Sequence, residues 1–265
     1  MEKNIYLTGS EQEIFNLIKK AGGNVITLKD IGGLFPEIPG GKINKICSSL
    51  SKKGYLYRIR RGVYIIQHEP SQKPLISNPY NIALQIYPGY LAFSSALRIY
   101  DLIEYEPFTI FIATTGKSRK IKLGEYTFRY ISMGDKAIDT KFYKNVYVSS
   151  KTKTFYDCFY KPQYSGGYST IVKALYLNEG CNWNKLNKYF EKFASDALCQ
   201  RSGYILELAE KANIIEIPQF IISYLRSRIR TNTRLLPGNK SAGKYIKEWK
   251  ILDNLGGENI ISELF

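Results

Sequence analysis

The sequence predicts an α/β (α+β) protein: an N-terminal winged helix-turn-helix, then a larger mixed α/β domain whose helices lie mainly towards the C-terminus. Three observations carry that expectation. Residues 40–53 put apolar side chains on one face of a helix and Lys and Ser on the other, and a glycine and an arginine-crowded hairpin follow at once. Residues 68–79 hold three prolines and no apolar periodicity, as an interdomain linker would. Beyond them, β-branched and aromatic runs such as Phe108-Thr-Ile-Phe-Ile-Ala-Thr114 give way after residue 152 to helical periodicity that lasts to about residue 228. The expected divisions are 1–70 for the winged helix, 71–79 for the linker and 80–265 for the second domain.

Taken in order, Ser10-Glu11-Gln12-Glu13 has the form of a capping box, and Ile14, Leu17 and Ile18 give the first helix its apolar stripe until Gly22-Gly23 breaks it. Thr27-Leu28-Lys29-Asp30 opens a short second helix that ends near Gly32-Gly33. In the third helix, at about 100° per residue, Ile43, Ile46, Cys47 and Leu50 share one side. Lys45, Ser48, Ser49 and Lys52 share the other, with Lys42 and Asn44 flanking, and Gly54 stands where a C-cap is needed. Tyr55, Tyr57 and Ile59 then alternate with Leu56, Arg58 and Arg60, and Arg61-Gly62 turns the chain into Val63-Tyr-Ile-Ile66.

The chemistry of this pattern points to duplex DNA. Small hydroxyls between lysines suit a groove, because serines can approach base edges while ammonium groups reach phosphates. A lysine-rich helix face alone is usually a solvated face. The arginines change the balance, since like charges crowded at one hairpin tip repel one another unless an anion offsets them. The expected DNA-contacting set is Lys42, Lys45, Ser48, Ser49, Lys52, Arg58, Arg60 and Arg61, the last three gripping backbone or minor groove from the tip.

Composition bounds the alternatives. The chain has 265 residues, 44% of them hydrophobic, and a formal charge of +15. Basic residues exceed acidic ones by five in 1–70, four in 71–150 and six in 151–265, so every part is attracted to a polyanion. No apolar run approaches the ~20 residues of a membrane span and no signal-peptide core is present, so a cytoplasmic protein without membrane contact is expected. Cys47, Cys158, Cys181 and Cys199 have no metal-site spacing and read as reduced structural thiols. His68 is the single histidine, which leaves serine and cysteine nucleophiles without an imidazole base. Gly116-Lys117-Ser118 is not a P-loop, because Phe111 stands where the first phosphate-cradling glycine belongs, and it reads as a basic loop. Glu248-Trp-Lys250, and Glu125 with Asp139-Thr-Lys141, are the nearest approach to metal-nuclease ligands. A metal-dependent nuclease is therefore the alternative reading; the favoured one is a non-enzyme with no catalytic residue, metal or cofactor.

At this point the residues resemble AbiEi-type antitoxins of type IV toxin–antitoxin and phage-defence systems. The resemblance spans nearly the whole chain. It rests on Tyr55-Leu-Tyr-Arg-Ile-Arg-Arg-Gly-Val-Tyr64, Tyr90-Leu-Ala-Phe-Ser-Ser-Ala-Leu97, and Thr154-Phe-Tyr-Asp-Cys-Phe-Tyr-Lys-Pro162 with Gly166-Gly167. Arg201-Ser-Gly-Tyr-Ile-Leu-Glu207 and Lys247-Glu-Trp-Lys-Ile-Leu-Asp-Asn254 complete it. The resemblance implies a DNA-binding autorepressor acting on an operator of inverted repeats. It also implies a second domain that counters a nucleotidyltransferase-like toxin without forming a stable complex with it. The chain departs from the family pattern at Tyr100-Asp101, where His-Gly is usual, and at Leu235-Leu236-Pro237, where Leu-Asp-Pro is usual; an orphan regulator without a toxin is the plainer alternative. Asp157 and Arg201 read as a buried bridge, and Gly203 as a site of close helix packing. Arg226, Arg228, Arg230 and Arg234 form the densest basic run outside the wing. Together with Arg201 they are either a solvated helix end or a second nucleic-acid or toxin-antagonising surface.

Overall fold

The structure is a computed structural model that describes residues 6–262. Its elements bear out an α+β architecture. The first begins with α1 (Gly9–Lys20), whose N-cap is Thr8. The capping box is therefore Thr8 with Glu11, two residues ahead of the expected start at Ser10. Thr8 caps because its hydroxyl accepts from the Glu11 amide while the Glu11 carboxylate accepts from the Thr8 amide at 2.7 Å. After Gly22 and Gly23, both at positive φ, comes β1 (Val25–Thr27), three residues too short for any periodicity to announce. Thr27 and Asp30 then form the expected capping box of α2 (Leu28–Leu34). α3 (Gly40–Lys53) ends at Gly54, whose φ of 86° needs glycine. A Cβ there would also lie 2.7 Å from the Ser71 amide nitrogen.

β2 (Leu56–Arg60) and β3 (Val63–Ile66) form the hairpin, and β1 pairs with β3 on the far side, giving the sheet order β1-β3-β2. Ile14, Phe15, Ile18, Ile31, Ile43 and Leu50 close over this sheet as one core, each side chain contributing roughly 1.5–3 kcal/mol when fully buried. The α3 stripe read from the sequence (Ile43, Ile46, Cys47 and Leu50) is the buried face of that helix.

The stretch expected as a linker is packed. Gln67 is fully buried; its amide nitrogen donates to the Gly54 and Ser71 carbonyls, and its oxygen accepts from the Leu75 amide. Three prolines here fix the path of an ordered strap rather than marking a flexible joint. α4 (Pro79–Ile86) follows, and Gln85 accepts from the Val25 amide at 3.0 Å. The first compact unit accordingly runs through Gly89 and also takes in Phe108–Ile110 and Arg119–Arg129.

The second unit comprises Tyr90–Pro107, Phe111–Ser118 and the chain from Tyr130 onward. Next in the chain are β4 (Tyr90–Leu91), α5 (Phe93–Ile99), β5 (Thr109–Thr114), β6 (Arg119–Leu123) and β7 (Tyr126–Ser132). β8 (Thr140–Tyr143) and β9 (Val146–Ser149) complete a sheet ordered β6-β7-β5-β4-β9-β8. The basic stretch after Gly116 is thus strand from Arg119 on, and β5 and β7 each pass from one unit into the other. Five helices follow, as the periodicity indicates: α6 (Lys151–Tyr160), α7 (Gly167–Leu177), α8 (Trp183–Phe193), α9 (Asp196–Lys211) and α10 (Gln219–Ser227). β10 (Thr233–Arg234), β11 (Lys244–Ile246) and β12 (Ile251–Asp253) make a small sheet ordered β10-β12-β11, and α11 (Gly257–Ser262) ends the described chain.

Two sequence readings of this unit meet different fates. Gly203 is a close-packing site: a Cβ would fall 2.2 Å from the ring of Trp249, which is fully buried. Asp157 and Arg201 do not pair. Asp157 is bridged to Lys153 one helical turn away, both side chains fully buried, while Arg201 hydrogen-bonds the Arg234 carbonyl and the Thr233 hydroxyl. The i,i+4 spacing on α6 gives Asp157 a nearer cation than any long-range partner.

Candidate nucleic-acid interface

α3 exposes Lys42, Asn44, Lys45, Ser48 and Lys52. Together with the hairpin it walls a concavity of about 890 Å³, lined by Asn44, Ser48, Ser49, Lys52, Arg58, Arg61 and Tyr64. Ser48, Ser49, Lys52, Arg58 and Arg61 of the expected set therefore meet at one surface, whereas Lys42 and Lys45 lie on the same helix without lining the concavity.

Two members of the set are engaged within the protein. Ser49 is half-buried at the wall of the concavity and donates to the Glu11 carboxylate at 2.5 Å, so its hydroxyl proton is engaged in tying α3 to α1. At about 100° per residue Ser49 sits at the edge of the polar face, close enough to α1 to be captured. Lys53 joins the same carboxylate at 2.6 Å. Burial alone would raise the Glu11 pKa, but the Lys53 ammonium, the Ser49 hydroxyl and Thr8 hold it down at about 2.

Arg60 is turned away from Arg58. Arg58 is opposite Tyr64 but Arg60 is opposite Val63, so Ile59 is the extra residue of a β-bulge. Without it, Arg58 and Arg60 would share a face; with it, they point to opposite faces. Arg60 accordingly reaches the Ile86 carbonyl at 3.4 Å and lies 4.7 Å from the centroid of the Tyr87 ring. Arg119 of β6 lies 4.7 Å from the same centroid. Tyr87 and Arg119 escaped the sequence reading; the only signal for Arg119 was the cationic run from Lys117 to Lys122, which reads equally well as a loop.

The pairing of charges separates this surface from the other basic cluster. Among the described residues, Lys42, Lys45, Lys52, Arg58, Arg60, Arg61 and Arg119 form no ion pair. In the second unit, Arg226 is bridged to Glu207 and Arg228 to Asp196 at 2.7 Å. The Asp196 and Tyr224 hydrogen bonds raise the Arg228 pKa further, and burial lowers that of Arg201. Arg201 and Arg234 meet beside Thr233, Tyr245 and Leu252 at a recess of about 530 Å³, with Arg234 also donating to the Asn239 carbonyl at 3.3 Å. Arg230 contributes its carbonyl to Lys250. Of the five arginines, Arg226 and Arg228 are thus matched by carboxylates, and Arg201 and Arg234 share one recess.

Of the carboxylates considered for metal chemistry, Asp139 is engaged within the protein. Asp139 accepts from Ser150 and Tyr189 and bridges Lys185 at 2.8 Å, and no cluster of three or more metal-ligating side chains occurs among the described residues. No helix of the described residues is long and apolar enough to cross a membrane.

No family model and no curated protein sequence matches the chain. Among solved structures, the RV2827C protein from Mycobacterium tuberculosis is similar, with a TM-score of 0.68 over 98% of this chain and 96% of that one. Identity is 14%, so the likeness shows a shared fold and nothing more.

Proposed function

We propose that this protein binds duplex DNA as a transcriptional repressor of its own operon, with residues 9–66 acting as a winged helix. The element order helix, strand, helix, helix, hairpin suits that motif, and the observation carrying the reading is the concavity between α3 and β2–β3, to which Lys52, Arg58 and Arg61 bring cations without an ion pair among the described residues. α3 would enter the major groove, where Asn44 and Ser48 reach base edges. Lys42, Lys45 and Lys52 would neutralise flanking phosphates, and Arg58 and Arg61 would follow the backbone into the adjoining minor groove. The resemblance to AbiEi-type antitoxins adds the second half of the proposal: the repressor also counters a nucleotidyltransferase-like toxin encoded beside it.

Titration of the full chain against its own upstream region tests the first half. Replacing Lys52, Arg58 and Arg61 together by Ala should weaken binding at least a hundredfold at moderate salt and flatten the slope of log K against log salt by about 2–3. Wild-type affinity in that variant, at an unchanged melting temperature, would remove the site. Co-expression with the neighbouring reading frame tests the second half: growth should be arrested by that gene alone and restored by this one.

A further inference from the structure

The same hairpin is cationic on its other face. We propose that Arg60, Tyr87 and Arg119 form a second phosphate-binding site, which grips duplex DNA outside the stretch covered by α3 and the wing tip. This rests on the duplex-DNA reading and extends its footprint.

The geometry is specific. The guanidinium carbons of Arg60 and Arg119 each lie 4.7 Å from one tyrosine ring centroid, so they are no more than twice that distance apart. Both arginines are exposed, and neither forms an ion pair among the described residues. Attraction to the ring face fixes each side chain but does not cancel its charge. Two fixed, uncompensated guanidiniums at such a separation are what a phosphate group, or two successive phosphates, would offset.

The supporting parts belong to the first unit and are tied to its other elements. Tyr87 directly follows α4, which is fastened to β1 through Gln85 and Val25. Arg119 opens β6, and the turn that ends this strand places Gly124 against Pro74 and Ile76 of the ordered strap. The bulge at Ile59 is the remaining requirement, since only it turns Arg60 toward Tyr87. An edge strand carrying lysines is often just protected against pairing with other edges, and Lys120 and Lys122 are explained that way. Arg119 is not: its guanidinium lies at the same tyrosine ring as that of Arg60.

A wing whose two faces each carry arginines can contact the phosphate backbones on both sides of a narrow groove. The expected consequence is a longer footprint. On a duplex trimmed to the minimal protected length, Arg119→Ala should bind like wild type. On a duplex longer by about half a helical turn at the wing side, wild type should gain affinity and Arg119→Ala should not, leaving a three- to tenfold deficit and a salt slope smaller by about one. Arg119→Lys, which keeps the charge, should recover most of the gain, and hydroxyl-radical footprinting should show the added protection disappear in Arg119→Ala. The outcomes separate cleanly. Equal gains and equal salt slopes for wild type and Arg119→Ala, with Lys52→Ala weakened, would overturn this site alone. Absence of any salt-dependent duplex binding by wild type would overturn the DNA reading and this site with it.

Discussion

Glu11 shows how much one side chain can organise. Its carboxylate caps α1, receives Lys53 and holds Ser49, so helix initiation and the docking of α1 on α3 depend on the same group. Because the folded pKa is depressed to about 2, its stabilisation is present above the ordinary carboxylate pKa and is lost as pH falls from there toward 2. Glu11→Gln should lower stability by about 1.5–3 kcal/mol at neutral pH, with the deficit shrinking below pH ~4, in chemical denaturation. The second residue-scale case is Lys153 with Asp157. Both are fully buried, and Asp157 Oδ2 has no hydrogen-bond partner among the described residues. Lys153→Met should therefore cost about 3–5 kcal/mol, and Lys153→Met with Asp157→Leu much less than that, because the penalty comes from the stranded charge and not from the lost pair.

At the scale of elements, the hairpin carries the lesson. Period-two reading of β2 assigns Arg58 and Arg60 to one face, and the bulge at Ile59 reverses the second of them. A bulge leaves little trace in an isolated strand, because it is defined by which residues of the partner strand are opposite. α3 behaves differently. Its buried face, its polar face and its glycine C-cap were all legible, since 3.6-residue periodicity and a left-handed cap are local properties. What the periodicity could not show is that the Ser49 hydroxyl is taken up by Glu11, 38 residues away. β1 escaped for a related reason: three residues carry no pattern until β3 is there to pair with them.

Over the whole molecule, both units carry carboxylates held below their ordinary pKa by cations and hydrogen bonds, Glu11 in the first and Asp101, Asp139 and Glu207 in the second, and Asp157 is the opposite case. Burial raises the Asp157 pKa to about 6 against the pull of Lys153, so its ionised form burdens the fold at neutral pH and that burden lifts as pH falls through 6. Glu11 does the reverse in the first unit below the ordinary carboxylate range. Both tryptophans, Trp183 and Trp249, lie in the second unit. Trp249 donates to Glu207 at 2.8 Å, so acidification below the ordinary carboxylate range should change far-UV helical signal and tryptophan emission together. Loss of helical signal with tryptophan emission unchanged would overturn that expectation.

The sequence by itself determined the three helices and the hairpin of residues 9–66, the amphipathic faces of α1 and α3, the two cap motifs of α2 and α3, and a basic excess in every part of the chain. Each of these depends on neighbours within a turn or two, where chirality and side-chain spacing leave few options. Tertiary structure decided which of the cations remain unpaired: Arg226 and Arg228 were claimed by Glu207 and Asp196, Arg60 was turned by the bulge to meet Tyr87 and Arg119, and the proline strap was folded onto Gly54 and Gln67. Those outcomes depend on contacts between segments far apart in sequence, and a charge reveals its use only when the groups around it are known.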